Sequence, residues 1–264
     1  MTLFGTAARV TQPEGDDALA FLSRDRAWAT YPLSYLEPGS GQSVHTWTCE
    51  RDGRAESLVA VIQLPRLLSV FAMGEAAGIG TILAEMRPQP GAGVFSVREE
   101  VLGTLERHLH VTTSYRMVRM ALRRGQLRQR RTASAVRLGM DGLEDARRLY
   151  GMWTDLNQLP AQLTGGVYFG VYDGAELVAI AGTHCLSRTH RTGVIGNVLT
   201  HASHRGQGLA STTTSAVAEE LFRMGCEDVV LNVRSGNDAA WRCYQRLGFV
   251  SHCGFVEGVF HSRK

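Results

Sequence analysis

The alternation of apolar and polar residues predicts strands and helices in two successive sets. In the first set, short apolar runs at residues 44–49 and 58–64 flank Asp52-Gly53, a pair typical of a hairpin turn. Residues 67–73 predict a third strand, and the helical spacing of apolar residues over 74–86 predicts a helix. The other elements predicted in this half are helices over 16–29 and 99–110 and an extended segment over 112–122.

The second half repeats this order of elements. Residues 167–172 and 177–181 predict a hairpin around Asp173-Gly174, and 192–200 predict the next strand. A helix then follows Gly208 and ends near Gly225, where the apolar spacing stops. The remaining predictions are a strand over 134–138, a helix over 142–153, a strand over 228–234, and a short helix capped by Asn237 and ended by Gly248.

A short segment with one arginine and two glycines joins the strand 192–200 to its helix. The first N–H groups of a helix are unpaired and lie at the positive end of its dipole, so they attract phosphate. Gly206 and Gly208 have no side chain that would block a ligand, and Arg205 adds positive charge. An ordinary tight turn explains the glycines equally well. The comparable segment 74–80 contains no basic residue and carries Glu75, so we interpret it as a structural turn.

A second motif downstream strengthens the phosphate hypothesis. Asn237 is followed seven positions later by Tyr244, and then by Gly248-Phe249. The two motifs together, Arg205-x-x-Gly208-x-Ala210, a strand, and Asn237 to Phe249, resemble the GNAT superfamily of acyl-CoA N-acyltransferases over roughly residues 133–260. This resemblance implies an α/β fold with a mixed sheet. It also suggests a catalytic GNAT domain at 133–264. The first half repeats the order of elements without the motifs, which predicts a degenerate GNAT-like domain at 1–125 that resembles the arrangement in two-domain glycine N-acyltransferase-like proteins.

The resemblance implies roles for individual residues. Arg205 and the loop N–H groups would hold the CoA pyrophosphate, while a bulged strand would offer its backbone to the pantetheine arm. The N–H of Val198 would polarise the thioester carbonyl, and Tyr244 would protonate the departing thiolate. A fully paired strand and a core tyrosine are the alternatives, although Gly196 and Asn197 are poor strand formers that favour an interruption. Asn237 is either beside the cofactor or only an N-cap. The predicted cofactor-binding residues are Val198, Leu199, Thr200, Arg205, Gly206, Gln207, Gly208, Leu209, Ala210, Ser211 and Asn237.

The residue that would deprotonate the amine is not evident. Some protein N-terminal acetyltransferases of the superfamily carry a glutamate five residues before the asparagine, where this chain has Asn232. The amine would therefore arrive neutral, or a water chain or another residue would accept its proton. This departure also argues against a substrate of the ribosomal-protein type. The other candidates, each with a structural explanation as well, are Glu176, His184, His201 and Glu257.

Composition excludes several classes of function. The formal charge is only +3, and the arginines concentrated at 116–131 are interpreted as a solvated strand edge and linker rather than a nucleic-acid or CoA-phosphate patch. The chain has 5 cysteines without C-x-x-C spacing, which suits a reducing cytoplasm and implies no metal site. We expect neither a signal peptide nor a membrane span.

The resemblance to the GNAT superfamily implies an N-acetyltransferase that uses acetyl-CoA as co-substrate. A primary amine, expected to be a small molecule, would attack the thioester directly, without a covalent enzyme intermediate. The alternatives are a catalytically silent acyl-CoA-binding or regulatory protein, and an acetyltransferase acting on a protein or peptide amine. A homodimer is left open.

Overall fold

The computed structural model describes residues 9–13, 15–64, 67–86, 91–130, 132–151 and 158–262. It divides into two compact units, a first unit up to Val118 with the residues from Cys253 onward, and a second unit over Arg119–His252. The sequence predicts one domain boundary, between residues 125 and 133, whereas the boundary between the two units crosses the chain at two points. Each of the two division points lies within a strand.

The described residues form helices and strands over most of their length. None of the helices there is both long and apolar enough to span a bilayer. The helices are α1 (Gly15–Leu22), α2 (Arg26–Tyr35), α3 (Ala76–Glu85), α4 (Leu102–His108), α5 (Leu143–Tyr150), α6 (Leu159–Gly165), α7 (Leu209–Arg223) and α8 (Asp238–Arg246). The strands are β1 (Arg9–Thr11), β2 (Ser43–Arg51), β3 (Arg54–Gln63), β4 (Leu68–Gly74), β5 (Ala92–Arg98), β6 (Leu109–Arg123), β7 (Val136–Arg137), β8 (Tyr168–Asp173), β9 (Glu176–Ser187), β10 (Thr192–Thr200), β11 (Asp228–Arg234) and β12 (Val250–Ser262).

The first unit is a mixed sheet with helices on both faces. Its strand order is β1-β2-β3-β4-β5-β12-β6, in which β4 and β5 are parallel and β2, β3 and β4 are antiparallel neighbours. One core packs α1 and α2 against the sheet around Trp28, which is fully buried. The other core packs α3 and α4 against the opposite face around Ile79 and Phe95.

The N-terminal helix of the first unit is broken, which corrects the single helix predicted over 16–29. At Asp25 the backbone turns to φ −141°, and the Asp25 carboxylate accepts a hydrogen bond from the N–H of Trp28 at 3.0 Å. This is an N-cap, so a new helix begins at Arg26. Pro32 lies inside that helix instead of following it.

The second unit has the same architecture, with strand order β6-β11-β10-β9-β8-β7. Strands β10 and β11 are parallel, and β8, β9 and β10 are antiparallel. Helices α5 and α6 cover one core, which includes Tyr150, Tyr168 and Ile180, while α7 covers the other face. Helix α6 was not predicted, and Trp153 in the predicted helix 142–153 lies outside the described residues.

Candidate active site

Strand β10 is interrupted in its second half. Its parallel ladder with β11 extends from Thr192 opposite Asp228 to Ile195 opposite Leu231. On its other side, the register with β9 shifts between Gly196 and Leu199, so that Asn197 and Val198 have no partner in that ladder. A bulge of this kind bends the strand and parts it from its neighbour. The interruption predicted from Gly196 and Asn197 is therefore confirmed.

Asn197 is held in the bulge by side chains that the sequence analysis did not connect with the site. Its φ of 53° is left-handed, a conformation that few residues other than glycine adopt. The Tyr150 hydroxyl donates to the Asn197 carbonyl at 2.6 Å, and the Asn197 amide donates to the Tyr168 hydroxyl at 2.7 Å and to Gln162 Oε1 at 3.1 Å. His184 Nε2 lies 3.1 Å from Asn197 Oδ1. None of the sequence motifs includes Tyr150, Gln162 or Tyr168.

The glycine loop leaves the start of α7 open. Gly206 and Gly208 both have φ of 81°, and Gly208 is the N-cap residue, without a side-chain hydrogen bond to the helix. The first N–H groups of α7 consequently lack the side-chain partner that usually satisfies them. The Gln207 carbonyl instead accepts a hydrogen bond from Thr132 Oγ1 at 2.9 Å. Arg205 Nε donates to the Thr200 carbonyl at 3.3 Å, which holds the arginine beside the strand end.

Helix α8 places Tyr244 beside this loop. Asn237 caps the helix, because its Oδ1 accepts the N–H of Ala240 at 3.2 Å, as predicted. Tyr244 is 7% exposed, and its ring meets Phe249 edge-on at 6.1 Å. Its hydroxyl has no hydrogen-bond partner among the described residues. Burial raises the pKa of Tyr244 well above its ordinary value, so the phenol stays protonated at neutral pH.

These three features border one cavity of about 540 Å³ within the second unit. The predicted site residue that does not line it is Gln207. The cavity also contains His204, Cys243 and Arg246, which no sequence motif indicated. The predicted residues that the structure brings together there are Val198, Leu199, Thr200, Arg205, Gly206, Gly208, Leu209, Ala210, Ser211, Asn237 and Tyr244.

Cys243 is the thiol in this cavity. Its Sγ lies 3.1 Å from Ser211 Oγ, and burial raises its pKa above the ordinary value. A thiol with a raised pKa is a poor nucleophile because little of it is thiolate at neutral pH. His204 lines the same cavity, but its two ring nitrogens are hydrogen-bonded to Ser203 and Asp173 and not to Cys243.

The side chain of Asn232 is hydrogen-bonded to a buried arginine. Its Oδ1 accepts a hydrogen bond from Arg119 Nε at 3.0 Å, and Arg119 is 1% exposed. The interpretation of the arginine-rich run as a solvated edge is therefore wrong for Arg119. Arg131 lies outside the described residues. The remaining members of the run are exposed, namely Arg116, Arg123, Arg124, Arg128 and Arg130.

The other proton-acceptor candidates are scattered. Glu176 and His201 line a separate cavity of about 460 Å³, and Glu257 lies in the first unit. His184 contacts the bulge through Asn197, and a Cβ on Gly196 would come within 2.2 Å of its ring. His184 is thus the candidate that the fold places at the interrupted strand.

Comparison with known proteins identifies the domain that contains this site. The model of the acetyltransferase (GNAT) family matches residues 137–249, a stretch that includes the bulge, the glycine loop and Tyr244. The chain carries a GNAT-family domain. The GNAT resemblance of the two sequence motifs is therefore confirmed.

Individual relatives agree with this assignment. N-alpha-acetyltransferase 30 of Schizosaccharomyces pombe is 33% identical over 69 residues, which are 25% of this chain and 46% of that protein, so the match spans about half the length of that relative. A GCN5-related N-acetyltransferase from Sphaerobacter thermophilus superposes with a TM-score of 0.62 at 19% identity, over 97% of this chain and 96% of the other. A tandem GNAT protein from clavulanic acid biosynthesis gives a TM-score of 0.58 at 11% identity, over 98% and 99%. The two structural likenesses show the fold, so the predicted α/β fold class is confirmed.

Proposed function

We propose that the second unit transfers an acetyl group from acetyl-CoA to a primary amine of a small molecule. The observation that carries this proposal is the single cavity in which an interrupted strand, an uncapped helix start and a buried tyrosine meet. Each supports one requirement of acyl transfer, namely alignment of the thioester, binding of phosphate, and supply of a proton.

The donor set of the cavity suits acetyl-CoA, which would supply the activated acetyl group. The open N–H groups after Gly208, together with the Arg205 guanidinium, suit a pyrophosphate. A side chain at Gly208 would meet Thr132 at 3.0 Å and would be strained at φ 81°, so glycine keeps this approach clear. The backbone of Val198 to Thr200, which lies beyond the end of the ladder with β11, suits the amide groups of the pantetheine arm.

Two groups of the chain would act on the reacting bond. The N–H of Val198, freed from the ladder by the bulge, would donate to the thioester carbonyl oxygen and stabilise the charge that develops there. The Tyr244 hydroxyl, protonated and unpartnered, would donate its proton to the departing sulfur. Because the thiol of Cys243 has a raised pKa and the histidine of the cavity is hydrogen-bonded elsewhere, the amine would attack directly.

The amine itself must lose a proton. His184 is the residue we propose for this step, either directly or through water, because it contacts the bulge residue Asn197. His201 serves as the matched control, since it lines the separate cavity. Replacing His184 by Gln should lower kcat, whereas His201→Gln should leave it unchanged. Equal effects of the two substitutions would assign neither residue to proton transfer.

We further propose that the first unit is a degenerate GNAT-like domain. The elements β1 to β6 with α1 to α4 follow one another in the same order as β7 to β12 with α5 to α8 in the second half of the chain. In both halves this order is one strand, two helices, three strands, a helix, a strand, a helix and a strand. The tandem GNAT protein from clavulanic acid biosynthesis offers a parallel at the level of fold.

A second acceptor class is favoured by one relative. The identity to an N-alpha-acetyltransferase supports an α-amine of a peptide or protein as the alternative acceptor. Asn232 at the position where some of these enzymes carry glutamate argues for the small molecule.

The test begins with calorimetric titration of the full chain with acetyl-CoA, CoA and desulfo-CoA. Micromolar binding is expected, and its absence would favour a protein that retains only the fold. Release of CoA thiol is then measured with small amines, amino acids, and peptides with free or blocked N-termini. Turnover confined to the free peptides would replace the small-molecule proposal by the α-amine alternative. Binding without turnover of any acceptor would favour a silent acyl-CoA-binding protein.

A further inference from the structure

Two glycines in neighbouring strands leave space for two rings beside the interrupted strand. Gly182 of β9 and Gly196 of β10 lie opposite each other in the antiparallel ladder, so they face the same side of the sheet. A Cβ on Gly182 would lie 2.1 Å from the Tyr168 ring, and one on Gly196 would lie 2.2 Å from the His184 ring. Both rings therefore pack directly against the backbone, and both form a hydrogen bond with the side chain of Asn197.

His184 is itself at a bulge. The register of β9 with β10 also shifts between Val194 and Ile195, which leaves His184 without an opposite residue in that ladder. A bulge changes the direction in which a side chain points. Irregularities in both strands thus bring His184 and Asn197 together, with His184 Nε2 at 3.1 Å from Asn197 Oδ1.

The side-chain amide of Asn197 has a defined direction. Its Nδ2 donates to the Tyr168 hydroxyl at 2.7 Å and to Gln162 Oε1 at 3.1 Å, which uses both of its N–H bonds. A tyrosine hydroxyl can donate or accept, and that of Tyr168 donates to Gln162 Oε1 at 3.0 Å. Gln162 Oε1 can only accept. It therefore directs Nδ2 of Asn197 toward itself and leaves Oδ1 for His184.

This direction determines which nitrogen of His184 carries a hydrogen. Asn197 Oδ1 can only accept, so His184 Nε2 must donate in the bond between them. A neutral imidazole has a single N–H group. The lone pair of the neutral His184 ring is consequently on Nδ1.

We infer that Gln162 is a positioning residue that holds His184, through Asn197, in the Nε2–H tautomer, so that Nδ1 accepts the proton of the amine. The inference rests on the proposed function, in which His184 takes this proton. The proton moves from the amine nitrogen to the lone pair of Nδ1, and Nε2 keeps its hydrogen. The imidazolium then donates from Nε2 to Asn197 Oδ1, a bond that the positive charge strengthens.

The tautomer can be observed directly by proton–nitrogen multiple-bond correlation NMR of the full chain, with nitrogen-15 in its histidines, at about pH 8.5. Desolvation lowers the pKa of His184 below its ordinary value, so the ring is neutral at this pH. The resonances that disappear in His184→Gln are those of His184. In the wild type we expect the hydrogen on Nε2 and the chemical shift of an unprotonated nitrogen at Nδ1. A hydrogen on Nδ1 would overturn the inference.

Two substitutions of Gln162 test its role. A carboxylate only accepts, so Gln162→Glu should retain the Nε2–H tautomer. An ammonium group only donates, so Gln162→Lys should attract Asn197 Oδ1, present Nδ2 to His184 and shift the hydrogen to Nδ1. Tyr150→Phe is the matched control, because the Tyr150 hydroxyl donates at 2.6 Å to the main-chain carbonyl of Asn197 and not to its amide, and its tautomer should not change. Retention of Nε2–H in Gln162→Lys, or its loss in Gln162→Glu, would overturn the inference.

Turnover separates this inference from the proposed function. At about pH 8.5, kcat should fall roughly 10- to 100-fold in Gln162→Lys and by less in Gln162→Glu, since a general base contributes about 10²- to 10⁴-fold. The acetyl-CoA dissociation constant should be unchanged in both variants, because Gln162 does not line the cavity proposed for acetyl-CoA. A switched tautomer without loss of kcat would overturn proton transfer at Nδ1. A wild type that has the Nε2–H tautomer but acetylates no amine would refute the proposed function, while the control of the tautomer by Gln162 would stand.

Discussion

The two units join a strand to a helix at the same point of their topology, but in opposite ways. In the first unit a single residue, Glu75, connects β4 to α3, and β4 stays paired with β3 from Leu68 to Gly74. In the second unit residues 201–208 connect β10 to α7, and β10 is interrupted beforehand. The same order of elements therefore gives two different connections: the helix start follows an interrupted strand in the second unit and a fully paired strand in the first.

Close packing and a carboxylate both distinguish the turn between β4 and α3 from the glycine loop. A Cβ on Gly74 would lie 2.1 Å from the Glu56 carbonyl oxygen, and the Ser57 hydroxyl donates to the Glu75 carbonyl at 2.8 Å. Glu75 also places a carboxylate at the start of α3, where it would repel phosphate. Neither helix start has a side-chain cap, so the carboxylate of Glu75 and the unbroken pairing of β4 are the features that set the start of α3 apart from the proposed phosphate site.

The largest effect expected from this comparison concerns Tyr244, since α4 of the first unit contains no tyrosine. Replacing Tyr244 by Phe removes the proposed proton donor and keeps the ring against Phe249. We predict a fall in kcat of about 10²- to 10⁴-fold, as for loss of a general acid. The acetyl-CoA dissociation constant, measured by calorimetry, should be unchanged. Undiminished turnover would show that the departing thiolate is protonated by another group.

Replacing Gly208 by glutamate should place a carboxylate before α7, as Glu75 does before α3. Gly208→Glu introduces a carboxylate at the start of α7 and a side chain at φ 81°. We predict at least about 100-fold weaker acetyl-CoA binding, because a repulsive charge and a blocked approach each cost on the order of 1.4 kcal/mol or more.

Gly208→Ala is the matched control for this prediction. It adds the Cβ near Thr132 without the charge, so it should weaken binding less than the glutamate does. If both variants bind alike, backbone strain and not charge governs the loop. Unaltered binding by the glutamate variant would remove the loop from the proposed phosphate site.

Local sequence patterns were sufficient for the loop, the strands around it and the capped helix α8. The strand predicted over 192–200 matches β10, and Asn237 and Gly248 mark the ends of α8, because caps and glycine stops act within one turn. The support of the bulge was not predictable in this way. Tyr150, Gln162 and Tyr168 are distant from Asn197 in sequence, and they meet it only because α5, α6 and β8 pack on the same face of the sheet.

Arg119 is a second residue whose environment could not be predicted from its neighbours in the sequence. In sequence it belongs to a basic run that is otherwise exposed, so its neighbours favour a solvated position. The fold pairs β6 with β11 in the second unit and buries this one side chain against Asn232. Burial of a single charged residue depends on strand pairing, which local composition does not encode.

The bulge itself can be tested at Asn197. Asn197→Ala removes the hydrogen bonds to Tyr168 and Gln162 and leaves a left-handed residue without the asparagine side chain. We predict a loss of about 1–3 kcal/mol in the free energy of unfolding. We also predict a fall in kcat of roughly 10- to 100-fold, since misplacing a reacting group by about 1 Å can cost 10²-fold.

Asn197→Gly separates the effect of the side-chain hydrogen bonds of Asn197 from the effect of its left-handed backbone. Glycine accepts the φ of 53° but makes no side-chain hydrogen bonds. If the network positions the bulge, the glycine variant should lose kcat like the alanine variant while recovering part of its stability. Full recovery of kcat in the glycine variant would mean that backbone conformation alone orients Val198.

Alkaline pH should lower the free energy of unfolding of the second unit because of its buried tyrosines. Burial raises the pKa of Tyr168 to about 12 and the pKa values of Tyr150 and Tyr244 well above their ordinary value. Above about pH 10 the unfolded chain loses phenolic protons that the folded unit retains, so the unfolded state gains stability. The free energy of unfolding should be insensitive to these groups below pH 10. It should then fall by up to about 1.4 kcal/mol per pH unit for each tyrosine.

Denaturant titrations at pH 8 to 11.5 would measure this slope. Tyr168→Phe removes one ionisable group, so its stability curve should be flatter than that of the wild type above pH 10. Curves that stay parallel would show that Tyr168 does not contribute to the alkaline loss.

The smallest effect is expected when the first unit is made to resemble the second. Glu75→Gln removes the carboxylate at the start of α3 but leaves β4 fully paired and Gly74 against Glu56. Charge alone then no longer opposes phosphate, whereas packing still does. We predict that calorimetry will give one acetyl-CoA per chain with an unchanged dissociation constant, in the variant as in the wild type. A second binding event in Glu75→Gln would show that the carboxylate, and not the continuous strand, prevents acetyl-CoA from binding at the start of α3.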